Sequence, residues 1–159
     1  MRSLRLTFVV LAVASLGLAA CAQHEMAMAP APVATPAPAP PPPTLYQRLG
    51  GQPAITAVVD DFVANVAHDR RINRYFRHAN IPHLKMALVN QICEATGGPC
   101  HYAGPSMRAV HHRMHVTNRA FNALVSDLVR TLNKFKVPAA EQKELLGILG
   151  PMRKDIVNV

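Results

Sequence analysis

Beyond residue 50, apolar residues recur every three or four positions, and no stretch alternates with the period of two that a half-buried strand needs. Ile55, Val58, Val59, Phe62, Val63 and Val66 make one stripe of a helix that Pro53 opens in its first turn, with Asp60, Asp61 and Asn65 on the opposite face. A short helical piece over 71–76 comes next. Pro82 then begins a helix with Leu84, Leu88 and Ile92 on one side, which Gly97, Gly98 and Pro99 stop. Ser106 can cap a short helix carrying Met107, Val110 and His111. Thr117 can cap the most regular one, in which Phe121, Leu124, Val125, Leu128, Val129, Leu132 and Phe135 recur at three and four. Pro138 opens a last helix that turns Leu145, Ile148, Leu149, Met152 and Ile156 inward; Pro151 inside it predicts a kink, because its ring crowds the carbonyl of Gly147. Four main helices and two short pieces over 44–159 make an all-α domain.

The first 43 residues follow other rules. Arg2 and Arg5 precede an apolar run over 6–18 that is too short for a stable membrane span and reads as an export signal over 1–20. The run ends Leu18, Ala19, Ala20, Cys21, which resembles a bacterial lipobox, with cleavage before Cys21 and a lipid on its sulfur; the alternative is a plain signal peptide and a free secreted domain. Residues 21–43 are then the lipidation cysteine and an Ala/Pro-rich spacer, with Pro30, Pro32, Pro36, Pro38 and Pro40 to Pro43 favouring extended polyproline geometry. Either way the domain is exported, on the lipoprotein reading to the periplasmic side of a bacterial envelope membrane. His24, Met26 and Met28 are a poor set for a soft metal.

The formal charge is +8, and removal of the signal takes away only Arg2 and Arg5. Lys and Arg are dispersed and form no nucleic-acid stripe, and export argues further against genomic partners. A solvated basic surface with some attraction to anionic membranes is the simpler reading.

The candidate chemistry lies in GGPCHYAGPSMRAVHH, over 97–112, where His111 shares a helical face with Met107 and Val110. A neutral imidazole held against apolar side chains is what a buried haem iron needs on one side. The competing reading is a solvated histidine in a basic helix, and His112 and His115 compete for the role. Cys93, Cys100 and His101 do not have the Cys-x-x-Cys-His spacing of covalent haem attachment. As a zinc site they lack a convincing fourth ligand. Once Cys21 carries lipid, Cys93 and Cys100 are the remaining thiols of an exported domain, so a disulfide is expected, with two separate thiols as the alternative.

The order LYQRLGG, DDFVANV, LK, GGP, YAG, MRAVH and ILGPMRKDI resembles the group I truncated haemoglobins across nearly the whole domain. That resemblance implies a two-on-two helical sandwich around non-covalent haem b. It puts His111 in the place of the proximal iron ligand and Phe76 in that of the aromatic packed on the porphyrin. Met107 and Val110 would touch the ring on the same side as His111, and Tyr102 and Lys85 match positions that hold propionates.

The sequence departs from that family on the distal side. Where many members carry a tyrosine and a glutamine that hydrogen-bond bound oxygen, this chain has Val63 and Leu88, with Leu84 one turn before the latter. Gln91 and His68 are the nearest polar candidates in sequence. The expectation is a membrane-tethered globin binding a diatomic gas (O2, NO or CO). Nitric oxide removal or redox sensing at the envelope would extend this role; nitric oxide dioxygenation would further require retained oxygen and an unknown reductase, neither visible in this chain. Two other readings stand beside it: a cofactor-free helical envelope adaptor whose apolar stripes close on one another, and a two-histidine haem electron carrier using His68 or His83.

Overall fold

The computed structural model describes residues 40–159. The signal segment, Cys21 and the spacer up to residue 39 lie outside the described residues. Among those described, every regular element is helical: α1 (Leu45–Arg48), α2 (Gly51–His68), a 3₁₀ turn (Asn73–Phe76), α3 (Ile81–Ala95), α4 (Met107–His111), α5 (Asn118–Lys134), α6 (Ala139–Leu149) and a second 3₁₀ segment (Gly150–Asp155). None of these helices is long and apolar enough to cross a membrane.

The local reasons are mostly those the sequence supplies. Asn80, Ser106 and Thr117 each accept a hydrogen bond from a backbone N–H of the first turn they precede, closing α3, α4 and α5 at their N-termini. Thr44 and Gln47 form a reciprocal capping box, which makes a helix of the single turn α1. Between α1 and α2 the chain reverses through Gly50 and Gly51 at φ +92° and +70°, where a side chain would be strained. Tyr46 N–H donates to the Thr96 carbonyl at 2.8 Å, and Arg48 pairs with Glu141 and Glu144, so α1 joins the end of α3 to α6.

Three sequence expectations are corrected. Pro151 does not kink a continuing helix: α6 ends at Leu149 and the chain tightens into the 3₁₀ segment, in which Pro151 occupies the first turn and needs no donor. Phe135 is 40% exposed as the C-terminal cap of α5 rather than part of its buried stripe. Asp61 and Asn65 do not take a solvent face. Asn65 Nδ2 donates to Thr131 Oγ1 at 2.9 Å and to Asp61 Oδ2 at 3.0 Å, and Lys134 closes on Asp61, so a polar seam joins α2 to α5.

The core is built by α2, which packs against both α3 and α5. Val59, Ile72 and Leu132 are almost wholly covered. The most regular apolar stripe is not the most buried one: on α5, Leu124 and Val125 stay half-covered, while Ala120, Ala123, Asp127 and Thr131 are buried. The half-covered residues face a cavity.

Candidate functional site

Two lobes of about 310 and 320 Å³ open between α2, α3, α4 and α5, each within the range of ligand pockets. They share Phe62, Leu88, Gln91, Met107, His111 and Leu124. The inner lobe runs on to Val58, Leu128 and the 3₁₀ residue Met152, and to Ile156 just beyond it; the outer one takes in Val63, Phe76, Leu84, Tyr102 and Val110. The apolar stripes therefore do not close on one another, as the adaptor reading requires. Val110 is 45% exposed although its side chain lines the outer lobe, an apolar surface that a group seated there would cover.

His111 stands where the lobes meet. Its Nδ1 lies 2.8 Å from the carbonyl oxygen of Met107, one helical turn earlier. A carbonyl can only accept, so Nδ1 is the nitrogen that donates, and in the neutral tautomer this contact selects, Nε2 keeps its lone pair. That backbone contact fixes both the tautomer and the ring orientation, as second-shell carbonyls do for metal-binding imidazoles. The short α4 supplies it because Ser106 caps the helix and places Met107 and His111 at i and i+4. His112 and His115 are exposed and line neither lobe.

On the side of α2 and α3 the wall is mostly hydrocarbon. Val63 is buried, and Leu84 and Leu88 stand half-buried one turn apart. Gln91, a further turn along α3, lines both lobes, but its Nε2 faces the sulfurs of Met107 and Met152 at 3.4 and 3.5 Å, both weak acceptors. His83 lines the outer lobe and is exposed, while His68 lies on the exposed last turn of α2 with its ring against the Ala64 carbonyl, off both lobes.

The predicted propionate partners separate in the structure. Tyr102 lines the outer lobe, but its hydroxyl donates to the Pro105 carbonyl at 2.9 Å. Lys85 lines neither lobe and pairs with Asp60 at 2.9 Å, a partner on α2 that register alone did not reveal.

The loop over 97–106 that leads to α4 is held at several points. Cys93 and Cys100 are bridged, with Cα atoms 5.7 Å apart, which sets aside both separate thiols and a zinc site using them. Glu94 takes the His101 ring at 2.8 Å and the Tyr102 N–H at 3.2 Å, contacts that hold its carboxyl below the ordinary value. Gly98 sits where a Cβ would come 2.5 Å from the Tyr46 ring and 2.6 Å from Cys93 Sγ.

One feature escaped the sequence reading. Asp127 on α5 is wholly buried, and its oxygens accept no hydrogen bond; Arg130 approaches at 3.1 Å and Arg71 at 3.7 Å. Burial first, and then the neighbouring Asp69 carboxylate, push its carboxyl above the ordinary range. Asp69, hydrogen-bonded by Arg71, is held down to about 2. In sequence Asp127 sits among apolar positions of a helix, and nothing distinguishes it from a solvated residue.

An all-helical domain that presents one oriented imidazole to a large apolar cavity has the build of a globin. The family model described as bacterial-like globin matches residues 44–158, and the chain belongs to that family. It is 31% identical over 115 residues to the group 1 truncated hemoglobin of Tetrahymena pyriformis, covering 72% of this chain and 95% of that protein. It is likewise 31% identical to the group 1 truncated hemoglobin GlbN of Mycolicibacterium paratuberculosis, over 72% of this chain and 85% of that one. The fold follows the crystal structure of the Tetrahymena pyriformis protein in its Fe(III) form with a TM-score of 0.70, at 30% identity over 72% of this chain and 98% of the other. It follows the 2/2 hemoglobin of a Synechococcus species, in the cyanomet state and with covalently attached heme, with a TM-score of 0.69, at 31% identity over 74% of this chain and all of that one.

Proposed function

We propose that the domain holds haem b without a covalent bond, through Nε2 of His111, and binds a diatomic gas on the opposite face. The observation that carries this reading is the 2.8 Å contact between His111 Nδ1 and the Met107 carbonyl at the junction of two apolar lobes. It leaves one basic nitrogen for a metal in a setting where water competes poorly. Haem bound there would supply an iron able to take the His111 imidazole and a gas ligand. Phe76, Met107 and Val110 offer the ring apolar contact, and the exposed flank of Val110 gains a cover. Its similarity to group 1 truncated hemoglobins supports the same reading.

The distal wall sets the preference among gases. Val63, Leu84 and Leu88 carry no donor, so a ligand that gathers negative charge on binding gains no hydrogen bond from them. Carbon monoxide needs little such help and is the better retained relative to oxygen. The reading is therefore a gas-binding protein, with nitric oxide chemistry requiring an external reductase.

The same proposal includes export by residues 1–20, a lipid on Cys21 and residues 21–43 as a spacer between an envelope membrane and the domain, a reading supported by the sequence of the N-terminal segment. The Cys93–Cys100 disulfide supports an oxidising compartment. Haem titration of the apoprotein tests the site. Saturable one-to-one binding with a Soret band, with the spectrum changed in His111→Ala, is the expected result; no saturable binding would refute it. Membrane fractionation of the Cys21→Ser chain tests the anchor, which should shift the protein to the soluble fraction.

A further inference from the structure

At the far end of α5 from Lys134 lies a separate cavity of about 200 Å³, lined by Arg71, Arg74, Thr117, Arg119 and Ala120. It shares no residue with either lobe of the gas-binding site. Three exposed arginines line it, and their own neutralisation is incomplete. Arg71 is taken by Asp69 at 2.7 Å and lies 3.7 Å from Asp127. Arg74 packs over the Tyr75 ring at 4.9 Å and donates to the Tyr75 hydroxyl, a neutral partner. Among the described residues, neither Arg74 nor Arg119 has a carboxylate within ion-pair distance.

Like charges gathered at one concavity repel, and a cavity of this kind lowers its energy by taking an anion. The start of α5, a helix of 17 residues, adds to the same field. Thr117 Oγ1 uses the Ala120 N–H, whereas the N–H groups of Asn118 and Arg119 have no partner within the helix. Planar guanidinium forks suit an acceptor with several oxygens, and the volume suits one small head group rather than a polymer.

We propose that the Arg71, Arg74 and Arg119 cavity is a binding site for a phosphate-type oxyanion, independent of the haem site. Free phosphate and the phosphodiester of an anionic lipid share this chemistry, and the test distinguishes them. Inorganic phosphate is titrated calorimetrically into the purified chain at constant ionic strength. Arg119→Gln and Arg74→Gln are compared with Lys143→Gln on α6, a residue outside the cavity, and thermal melts establish that each variant folds. The expected result is saturable one-to-one binding, weakened at least about tenfold in both arginine variants and unchanged in Lys143→Gln. Absence of saturable binding, or an equal loss in Lys143→Gln, overturns the site. Flotation with phosphatidylglycerol vesicles, reversed by added phosphate, identifies a lipid head group as the ligand; calorimetric binding without flotation identifies a free oxyanion.

Discussion

The Nδ1 of His111 and the carbonyl oxygen of Met107 lie 2.8 Å apart within one turn of a five-residue helix, and that contact decides which ring nitrogen is free. It makes an otherwise ordinary histidine in a basic stretch suitable as a ligand. Val63, Leu84 and Leu88 line the outer lobe with His111, and on the proposed function they are the residues a gas ligand would meet.

That wall is open to a direct change. Leu88→Gln places an amide on the half-buried face of α3 that lines both lobes, and should slow oxygen dissociation from the ferrous protein about tenfold, the effect of one hydrogen bond. Carbon monoxide dissociation should change far less. Flash photolysis and stopped-flow mixing report both, and an equal slowing of the two gases would show that the introduced amide acts sterically and not as a donor.

Reduction of the Cys93–Cys100 bridge should loosen the loop that carries Tyr102, Gly104 and Pro105 at the outer lobe. The closed loop is small, so the loss is about 2–3 kcal/mol, or a melting temperature lower by about 5 °C or more. Haem transfer to an excess of apomyoglobin should accelerate in the reduced protein. Unchanged melting and transfer would mean that the Glu94 contacts hold the loop unaided.

Two glycines predict opposite signs. Gly98→Ala brings a Cβ to 2.5 Å from the Tyr46 ring and 2.8 Å from the Cys93 carbonyl, and should cost about 1–3 kcal/mol. Gly147→Ala meets nothing within 4 Å inside α6 and should stabilise by about 0.5–1 kcal/mol. Chemical denaturation of the two variants beside the parent measures both.

Buried Asp127 and its neighbour Asp69 give a pH signature. Asp127 titrates above its unfolded value, so the native state holds an extra proton between the two, and the group's contribution falls as pH rises through that window. Asp127→Asn should therefore melt above the parent at pH 7, with the gap closing below the ordinary carboxyl range. Asp69, held down to about 2, contributes stability above that range and loses it as pH falls toward 2. Asp69→Asn should accordingly melt below the parent at pH 7 and approach it toward pH 2. Melts across the acid range check both signs.

The helices were legible because their apolar periods and caps are local: Ser106 and Thr117 act within one turn. The face bearing Met107, Val110 and His111 was legible for the same reason; the Thr44-x-x-Gln47 signature of α1 is equally local, yet a helix of one turn has no apolar period to reveal it and it was missed. What escaped depends on partners distant in sequence. Lys85 meets Asp60, Asp61 meets Thr131 and Lys134, and Asp127 is buried beside Asp69, pairings that no window of one helix contains. Nor does a periodic stripe say whether it faces a core or a cavity; Leu124 and Leu128 belong to one stripe, yet Leu124 lines both lobes and Leu128 only the inner.

The most direct measurement is the absorption spectrum of the ferrous haem-loaded protein before and after carbon monoxide, in the parent and in His111→Ala. In the parent a Soret band that shifts on adding the gas is expected, and in the variant an altered ferrous spectrum that added imidazole restores. A parent spectrum identical to that of His111→Ala in both states would refute the assignment of His111 as the residue that holds the iron.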